Sequence, residues 1–201
     1  MSAISWDRLR LGADVVQLLL PHRRPLLMVD QLDAYCRSPM PAVRASRVVS
    51  ANEPVFGGHF PGLSLWPGIY TIEGLGQSCM LAMVLSEMQT HFERAGADPQ
   101  APIVALKNLD LKFRLDPAYR PELTRSLLDH LRDAPRTVGV STAVDVRLLE
   151  PVFAGQRIDY QVVLSHAVDN VQRFDVEAFV DRVPVARGSM SGATLKITVS
   201  E

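Results

Sequence analysis

The chain has 201 residues, a length that suits one domain, with or without an insertion. Hydrophobic residues make up 47% of the sequence and charged residues 21%, as in a folded protein. The formal net charge of −1 gives no overall field that would attract nucleic acid or an anionic membrane, so neither is expected as a partner. The longest uninterrupted apolar runs are shorter than the roughly 20 residues that span a bilayer, and no signal-peptide pattern begins the chain. Cys36 and Cys79 match no metal or redox spacing, so we expect a cytoplasmic protein.

The first quarter of the chain is predicted to contain one short helix and two strands. The helix covers residues 14–20 and ends before Pro21. The strands cover about 28–35 and 42–50, and the second alternates apolar residues with a weak period of two. Residues 57–68 follow with four glycines and two prolines, which indicates a loop of defined geometry.

A long helix is predicted over residues 67–94, because a proline is favourable in a first helical turn. The segment is apolar on nearly every side, which is typical of a helix that is buried all round. Its glycines, Gly74 and Gly76, cost roughly 1 kcal/mol each inside a helix, so close packing is the expected compensation. A sheet wrapped around this helix would supply that packing.

The second half of the chain is predicted to consist mainly of strands. Their expected bounds are 103–114, 137–149, 157–165, 172–180 and 185–199. Residues 116–136 carry leucines at helical spacing, so a short helix is predicted near residues 123–132. One long helix followed by several long antiparallel strands indicates an α+β fold.

Residues 52–77 carry the chemically informative pattern, NEPVFGGHFPGLSLWPGIYTIEGLGQ. His59 lies in the glycine-rich loop, and Glu73 lies on the predicted long helix. A carboxyl group is costly to bury in its charged form, so Glu73 and a nearby histidine would suit acid/base chemistry. The start of the helix offers free N–H groups and a positive dipole end that can polarise a carbonyl oxygen. A structural loop histidine and a glutamate within a hydrogen-bond network fit the same residues, so these residues alone leave both interpretations open.

This segment closely resembles the active-site signature of the Z-type 3-hydroxyacyl-acyl-carrier-protein dehydratases, roughly N-E-x-x-F-x-G-H-F-P-x-x-P-x-x-P-G-V-x-x-I-E-x-x-x-Q. Residues 19–32, LLPHRRPLLMVDQL, are similar to the family's L-P-H-R-Y-P-F-L-L-V-D-R. Residues 150–160, EPVFAGQRIDY, are more weakly similar to R-P-V-x-P-G-D-x-L. The three matches occur in the family's order and lie between residues 19 and 160, so they are spread over most of the chain.

The resemblance implies a hot-dog fold, in which an antiparallel sheet wraps around a long central helix. By position, His59 matches the catalytic histidine and Glu73 the catalytic carboxylate. Gly68 matches the glycine whose N–H binds the thioester oxygen. Further substrate contacts are expected at Gly58, Phe60 and Pro67.

The implied reaction removes water from (3R)-3-hydroxyacyl-acyl-carrier-protein and yields the trans-2-enoyl product, without a metal or an organic cofactor. Acyl carrier protein is therefore the expected partner. The resemblance further implies a homodimer, or a higher homo-oligomer, in which the histidine and the carboxylate of one site come from different subunits. Fatty acid synthesis and polyketide or polyene assembly both fit as pathways.

Several positions depart from the family pattern. Arg24 replaces a tyrosine, Ser64 replaces a proline, and residues 154–156 read Ala-Gly-Gln instead of Pro-Gly-Asp. These changes leave the preferred acyl length open. Residues 1–201 are interpreted as one domain with an insertion at about 115–137, which serves either as a surface elaboration or in partner choice.

The sequence argues against two rival functions and against a catalytic role for four other histidines. A hot-dog thioesterase would lack the GHFP histidine, and a non-catalytic dehydratase-like partner subunit would have lost the histidine or the glutamate. His22 matches the family outside its catalytic pair, so a structural hydrogen bond is expected for it. The remaining histidines have no neighbours at metal-ligand spacing: His91, His130 and His166.

Overall fold

The computed structural model describes residues 5–133 and 137–196. Within these ranges, seven strands form one antiparallel sheet in the order β1-β2-β3-β5-β6-β7-β4, and four α-helices accompany it. The strands are β1 (Asp7–Leu11), β2 (Gln31–Cys36), β3 (Ala42–Val48), β4 (Thr137–Leu148), β5 (Arg157–Val168), β6 (Val171–Val180) and β7 (Val183–Lys196). The helices are α1 (Ala13–Leu19), α2 (Gly68–Arg94), α3 (Ala101–Phe113) and α4 (Arg125–Asp133).

Helix α2 confirms the helix predicted over residues 67–94 and forms the centre of the hydrophobic core. Leu75, Leu81 and Leu85 on this helix are fully buried, and burial of each leucine stabilises the fold by about 1.5–3 kcal/mol. By length and composition α2 would also be able to cross a membrane. Because α2 lies inside the sheet, both its burial and its apolar composition are those of a core helix. The antiparallel sheet around this helix is the expected hot-dog arrangement.

Close packing at Gly74 compensates for the glycine, as the sequence predicts. A Cβ atom built at Gly74 would lie 2.3 Å from the hydroxyl oxygen of Tyr160 on β5 and 2.4 Å from its Cζ. Tyr160 is fully buried, and burial raises the pKa of its hydroxyl, which therefore stays protonated. Only glycine lets α2 approach the sheet this closely.

Six of the seven predicted strands are confirmed, and the described sheet contains one strand, β1, that the sequence did not indicate. Strands β2 to β7 account for the predictions at 28–35, 42–50, 137–149, 157–165, 172–180 and 185–199, although residues 197–199 lie outside the described part of the chain. Strand β1 was not predicted. It pairs with β2 and buries Leu9 and Leu11, but five residues are too few to give a clear period.

The strand predicted over residues 103–114 is wrong, because this segment forms helix α3. Leu109, Leu111 and Phe113 alternate as in a strand. The fully buried positions Ile103, Leu106 and Leu109 instead recur at helical spacing. A proline in the first turn of α3 also favours helix.

Helix α4 confirms the short helix predicted near residues 123–132. Leu127 on its inner side is fully buried. The ring of His130 lies 4.2 Å from that of His91 on α2, so α4 packs near the C-terminal end of the core helix. The expected insertion at 115–137 stays a prediction, and residues 134–136 lie outside the described ranges.

Candidate active site

Glu73 lies in the second turn of α2, and its carboxyl group has two polar neighbours on one oxygen. Gln77, one turn later, donates from Nε2 to Glu73 Oε1 at 2.8 Å. His22 Nε2 lies 3.5 Å from the same oxygen. The side chain of Glu73 is 35% exposed in the single chain, so it is half-buried and accessible to a ligand.

Gln77 also fixes the loop between α1 and β2 against the core helix. Its side chain is buried; it accepts a hydrogen bond from Met28 N at 2.8 Å and donates one to Leu26 O at 2.7 Å. One amide therefore connects the first motif, which carries His22, to the helix that carries Glu73. These hydrogen bonds satisfy the buried amide, and they fix the positions of two segments that are far apart in the sequence.

His59 is held by its loop in a defined tautomer. Its Nδ1 lies 3.0 Å from Leu65 O, and because a carbonyl oxygen can only accept, Nδ1 carries the proton. Nε2 of the neutral ring is therefore free to act as a base. Phe60 follows through a cis peptide bond, is half-exposed, and stacks on the His59 ring with centroids 4.3 Å apart.

A cavity of about 270 Å³, the His59 cavity, places His59 beside Gly68, with Leu148 and Val185 also in its wall. Gly68 is the first residue of α2, so its N–H has no partner within the helix. A Cβ atom at Gly68 would lie 2.2 Å from Leu148 Cδ1, so the side chain of Leu148, on β4, packs directly on this glycine.

The other expected substrate contacts lie around this loop. Pro67 is buried and caps α2 at its N-terminus. Gly58 donates its N–H to Val55 O at 3.0 Å, so this N–H is used within the loop turn. Neither residue lines the His59 cavity, and their substrate contacts stay predictions.

A second cavity of about 310 Å³, the Glu73 cavity, follows one side of α2 from Glu73 to Glu87. These residues are 14 positions apart, which corresponds to about 21 Å along a helix. Its walls also include mainly apolar side chains and two strand glycines: Met80, Met83, Val84, Phe174, Met190, Gly139 and Gly192. A long cavity with a carboxyl residue at each end, lined by apolar side chains and by polar ones such as Gln77 and Gln172, has room for an extended acyl chain.

His59 and Glu73 line different cavities within one chain. The structure of the single chain therefore does not bring the two predicted catalytic residues together. A site that combines residues from two subunits, as the resemblance implies, stays a prediction.

Two residues near the site were not assigned a functional contact from the sequence. The ring of His22 contacts the carboxyl group of Glu73, whereas only a structural bond was expected. Arg47 on β3 is buried and binds Asp30 and Glu53, with guanidinium–carboxylate distances of 3.3 and 2.5 Å. The sequence did indicate that Arg47 needs partners: it occupies a core-facing position in the apolar alternation of β3, and a buried charge requires a counter-charge or hydrogen bonds.

Comparisons with known proteins agree with the motifs. Residues 20–115 match the family model for the FabA-like domain. A 3-hydroxyacyl-[acyl-carrier-protein] dehydratase FabZ of Neisseria meningitidis is 42% identical over 80 residues, 40% of this chain and 52% of that protein. The FabZ of Myxococcus xanthus is 31% identical over 144 residues, 70% of this chain and 88% of that protein. The chain thus spans about half the length of the Neisseria relative and most of the Myxococcus one.

The fold has a counterpart among solved structures. The dehydratase heterocomplex ApeI:P from Xenorhabdus doucetiae matches with a TM-score of 0.54 and 16% identity, over 90% of this chain and 91% of that chain. At this identity the match shows a common fold.

Proposed function

The chain belongs to the family of the 3-hydroxyacyl-[acyl-carrier-protein] dehydratase FabZ, and we propose that it is itself such a hydro-lyase. Its reaction converts (3R)-3-hydroxyacyl-acyl-carrier-protein into the trans-2-enoyl thioester and water. The observation that carries this proposal is the placement of Glu73, whose half-exposed carboxyl group lines a long cavity with apolar side chains in its walls.

His59 is proposed as the base that removes the proton from C2. Its Nδ1–H is held by Leu65 O, which leaves Nε2 to accept the proton. As this proton leaves, negative charge develops on the thioester oxygen. The free N–H of Gly68 and the positive end of the α2 dipole stabilise that charge.

Glu73 is proposed as the acid that completes the elimination. The C2–H electron pair forms the C2–C3 double bond, the C3–O bond breaks, and Glu73 protonates the departing hydroxyl group to give water. The proton taken by His59 then returns to Glu73 through solvent. The residues supply every proton transfer, so the proposal requires no metal or cofactor.

A homodimer would complete the site, and the exposed edge of the sheet supports this assembly. Strand β4 is a 12-residue edge strand with exposed apolar side chains, including Val144 and Leu148. A long apolar edge strand is an open template for another strand unless it is covered. Pairing of β4 with a second copy would cover it beside the His59 cavity, which Leu148 lines.

The substrate carrier, location and domain organisation belong to the same proposal. Acyl carrier protein is the carrier, the cytoplasm is the compartment, and the Glu73 cavity holds the acyl chain. Residues 1–201 act as one domain, with 115–137 as its insertion. Fatty acid synthesis and polyketide or polyene assembly use the same chemistry, so the proposal covers these pathways alike.

The test is incubation of the protein with 3-hydroxyacyl-acyl-carrier-protein substrates of graded chain length, followed by mass spectrometry. Loss of one water from the carrier-bound chain is the expected result. Release of free carrier thiol would identify a thioesterase instead. An unchanged substrate at every chain length would contradict catalysis by this chain alone and favour a non-catalytic partner subunit.

A further inference from the structure

We propose that His22 is a positioning residue for Glu73: together with Gln77 it holds Oε1 and leaves Oε2 to face the substrate. The inference rests on the proposed function, because it assigns a role around the proposed catalytic carboxyl group. His22 itself neither takes nor delivers a proton in the reaction.

The ring of His22 is arranged around Glu73. The side chain is 21% exposed, and Nε2 lies 3.5 Å from Glu73 Oε1. Nδ1 is buried and has no hydrogen-bond partner among the described residues. A buried, unpartnered N–H is rarer and more costly than an unpartnered acceptor, so the proton of the neutral ring belongs on Nε2. In that tautomer the nitrogen that carries the proton is the one 3.5 Å from Glu73 Oε1.

The distance of 3.5 Å is long for an N–H···O hydrogen bond. Catalytic hydrogen bonds are often long without substrate and shorten in the substrate complex. Glu73 has room for this adjustment, because its side chain is half-exposed and its other donor, Gln77, lies on the same helix.

The segment that carries His22 is fixed to α2, so the position of His22 relative to Glu73 is fixed as well. Gln77 holds this segment through Leu26 O and Met28 N. The guanidinium group of Arg23 donates to the carbonyl oxygen of His22 at 2.7 Å. The same group donates to Leu20 O at 2.8 Å, so the backbone on both sides of the imidazole is anchored.

A glutamate carboxyl group needs such donors because its terminal torsion has no sharp intrinsic preference. Without them, the plane of the carboxyl group would sample many orientations. Gln77 already donates to Oε1, and His22 Nε2 lies 3.5 Å from the same oxygen; once His22 closes this distance, the two donors select one plane and one outward oxygen. The expected benefit is in the chemical step, since orientation of a reacting group lowers the barrier rather than strengthening ground-state binding.

The experiment compares three substitutions at one position by steady-state dehydration kinetics. His22→Leu removes the donor, His22→Gln places an amide N–H at about the reach of Nε2, and His22→Asn falls short of it. We expect His22→Leu and His22→Asn to lower kcat about 10-fold to 100-fold with KM little changed, and His22→Gln to recover most of kcat. His166→Leu, at an exposed histidine of β5, is the matched control and should match wild type.

A double-mutant comparison separates positioning from a general structural role. In a Glu73→Gln background, His22→Leu should cost less than about 2-fold in the residual rate, because the group that it positions is gone. An equal loss in both backgrounds, a rise in KM alone, or equal rates for His22→Gln and His22→Asn would each overturn the proposal.

Full activity of Glu73→Gln would overturn the proposed function and this inference together. An inactive Glu73→Gln with unaffected His22 variants would overturn the positioning role only. If His22→Leu does not fold, the two amide variants decide the question.

Discussion

Arg47 and Glu53 form an ion pair in which the arginine is buried, with Arg47 Nη2 2.5 Å from Glu53 Oε1. The pair connects β3 to the start of the loop that carries His59. The same guanidinium group also binds Asp30 Oδ1 at 3.3 Å and Leu27 O at 2.9 Å. One buried cation thereby holds both loops that contribute residues to the proposed site, the His22 loop and the His59 loop.

Removal of this cation is expected to destabilise the fold. Arg47→Met would leave Glu53 without its counter-charge and Asp30 with only the exposed Arg24, 4.0 Å away, at a cost of about 3 kcal/mol in the free energy of unfolding. Urea denaturation measures this cost. Arg44→Met, at an exposed arginine of the same strand, is the control and should cost less than about 1 kcal/mol. Equal losses for the two variants would show that the buried pair has no special role.

Glu73→Gln should lower the dehydration rate by about 10²-fold to 10⁴-fold, because it keeps the shape of the side chain but removes the acid. The melting temperature should stay near that of wild type. Glu93→Gln is the matched control, since Glu93 lies on the same helix at its far end and pairs with Arg37. A Glu73→Gln protein within a few-fold of wild-type activity would remove Glu73 from the mechanism.

A mixture of inactive His59→Ala and inactive Glu73→Gln proteins should regain activity if each site takes residues from two subunits. Random exchange makes half of the dimers mixed, and one of the two sites in each has both native residues. The expected recovery is therefore about a quarter of wild-type activity. Subunit exchange is measured in parallel with labelled chains. Exchange without recovered activity would mean that each site is built within one chain.

Gly74→Ala should destabilise the protein by about 1–3 kcal/mol, because the new Cβ atom would overlap the buried ring of Tyr160. Gly76→Ala on the same helix is the control. There the added Cβ atom meets only the terminal methyl of Met190 at 3.3 Å, and alanine is the better helix former. Thermal unfolding of both variants gives the comparison. A Gly74→Ala protein as stable as Gly76→Ala would contradict the close packing of α2 on β5.

Acid should loosen the packing of α4 on α2 through His130. Burial, and then the neighbouring His91, lower the pKa of His130 below its usual value. As the pH falls through the unfolded pKa, near 6.5, His130 therefore binds a proton more readily in the unfolded chain than in the folded one. Protonation thus favours the unfolded chain, and the free energy of unfolding decreases over this range. Asp129 and Asp133 also line this region and oppose the effect in part.

The measurement is the fall in melting temperature between about pH 7.5 and pH 5.0. His130→Gln should show a smaller fall than wild type, because it removes the titrating ring. His166→Gln, at an exposed histidine, should leave the fall unchanged. An identical fall in His130→Gln and wild type would exclude His130 as a source of acid sensitivity.

The sequence by itself was sufficient for the central helix, most strands and the two proposed catalytic residues. The helix predicted over residues 67–94 follows from local rules, a proline at its start, which is the N-cap residue in the structure, and apolar residues on nearly all sides. His59 and Glu73 were identified by a motif, which is also a local property of the chain. Local periodicity failed over residues 103–114, where apolar residues fit both a period of two and a helical period. Burial of one helical stripe in the tertiary structure resolved that ambiguity.

Only the tertiary structure decided which side chains meet across long stretches of chain. His22 and Glu73 are 51 positions apart, and no period or motif relates them. The sequence pattern also does not predict the partners of Arg47. Nor does it predict that His59 and Glu73 line two different cavities. The physical reason is that such contacts depend on how the loops close over the packed core. A sequence pattern specifies which residues are buried, but the packed arrangement determines which polar groups reach one another.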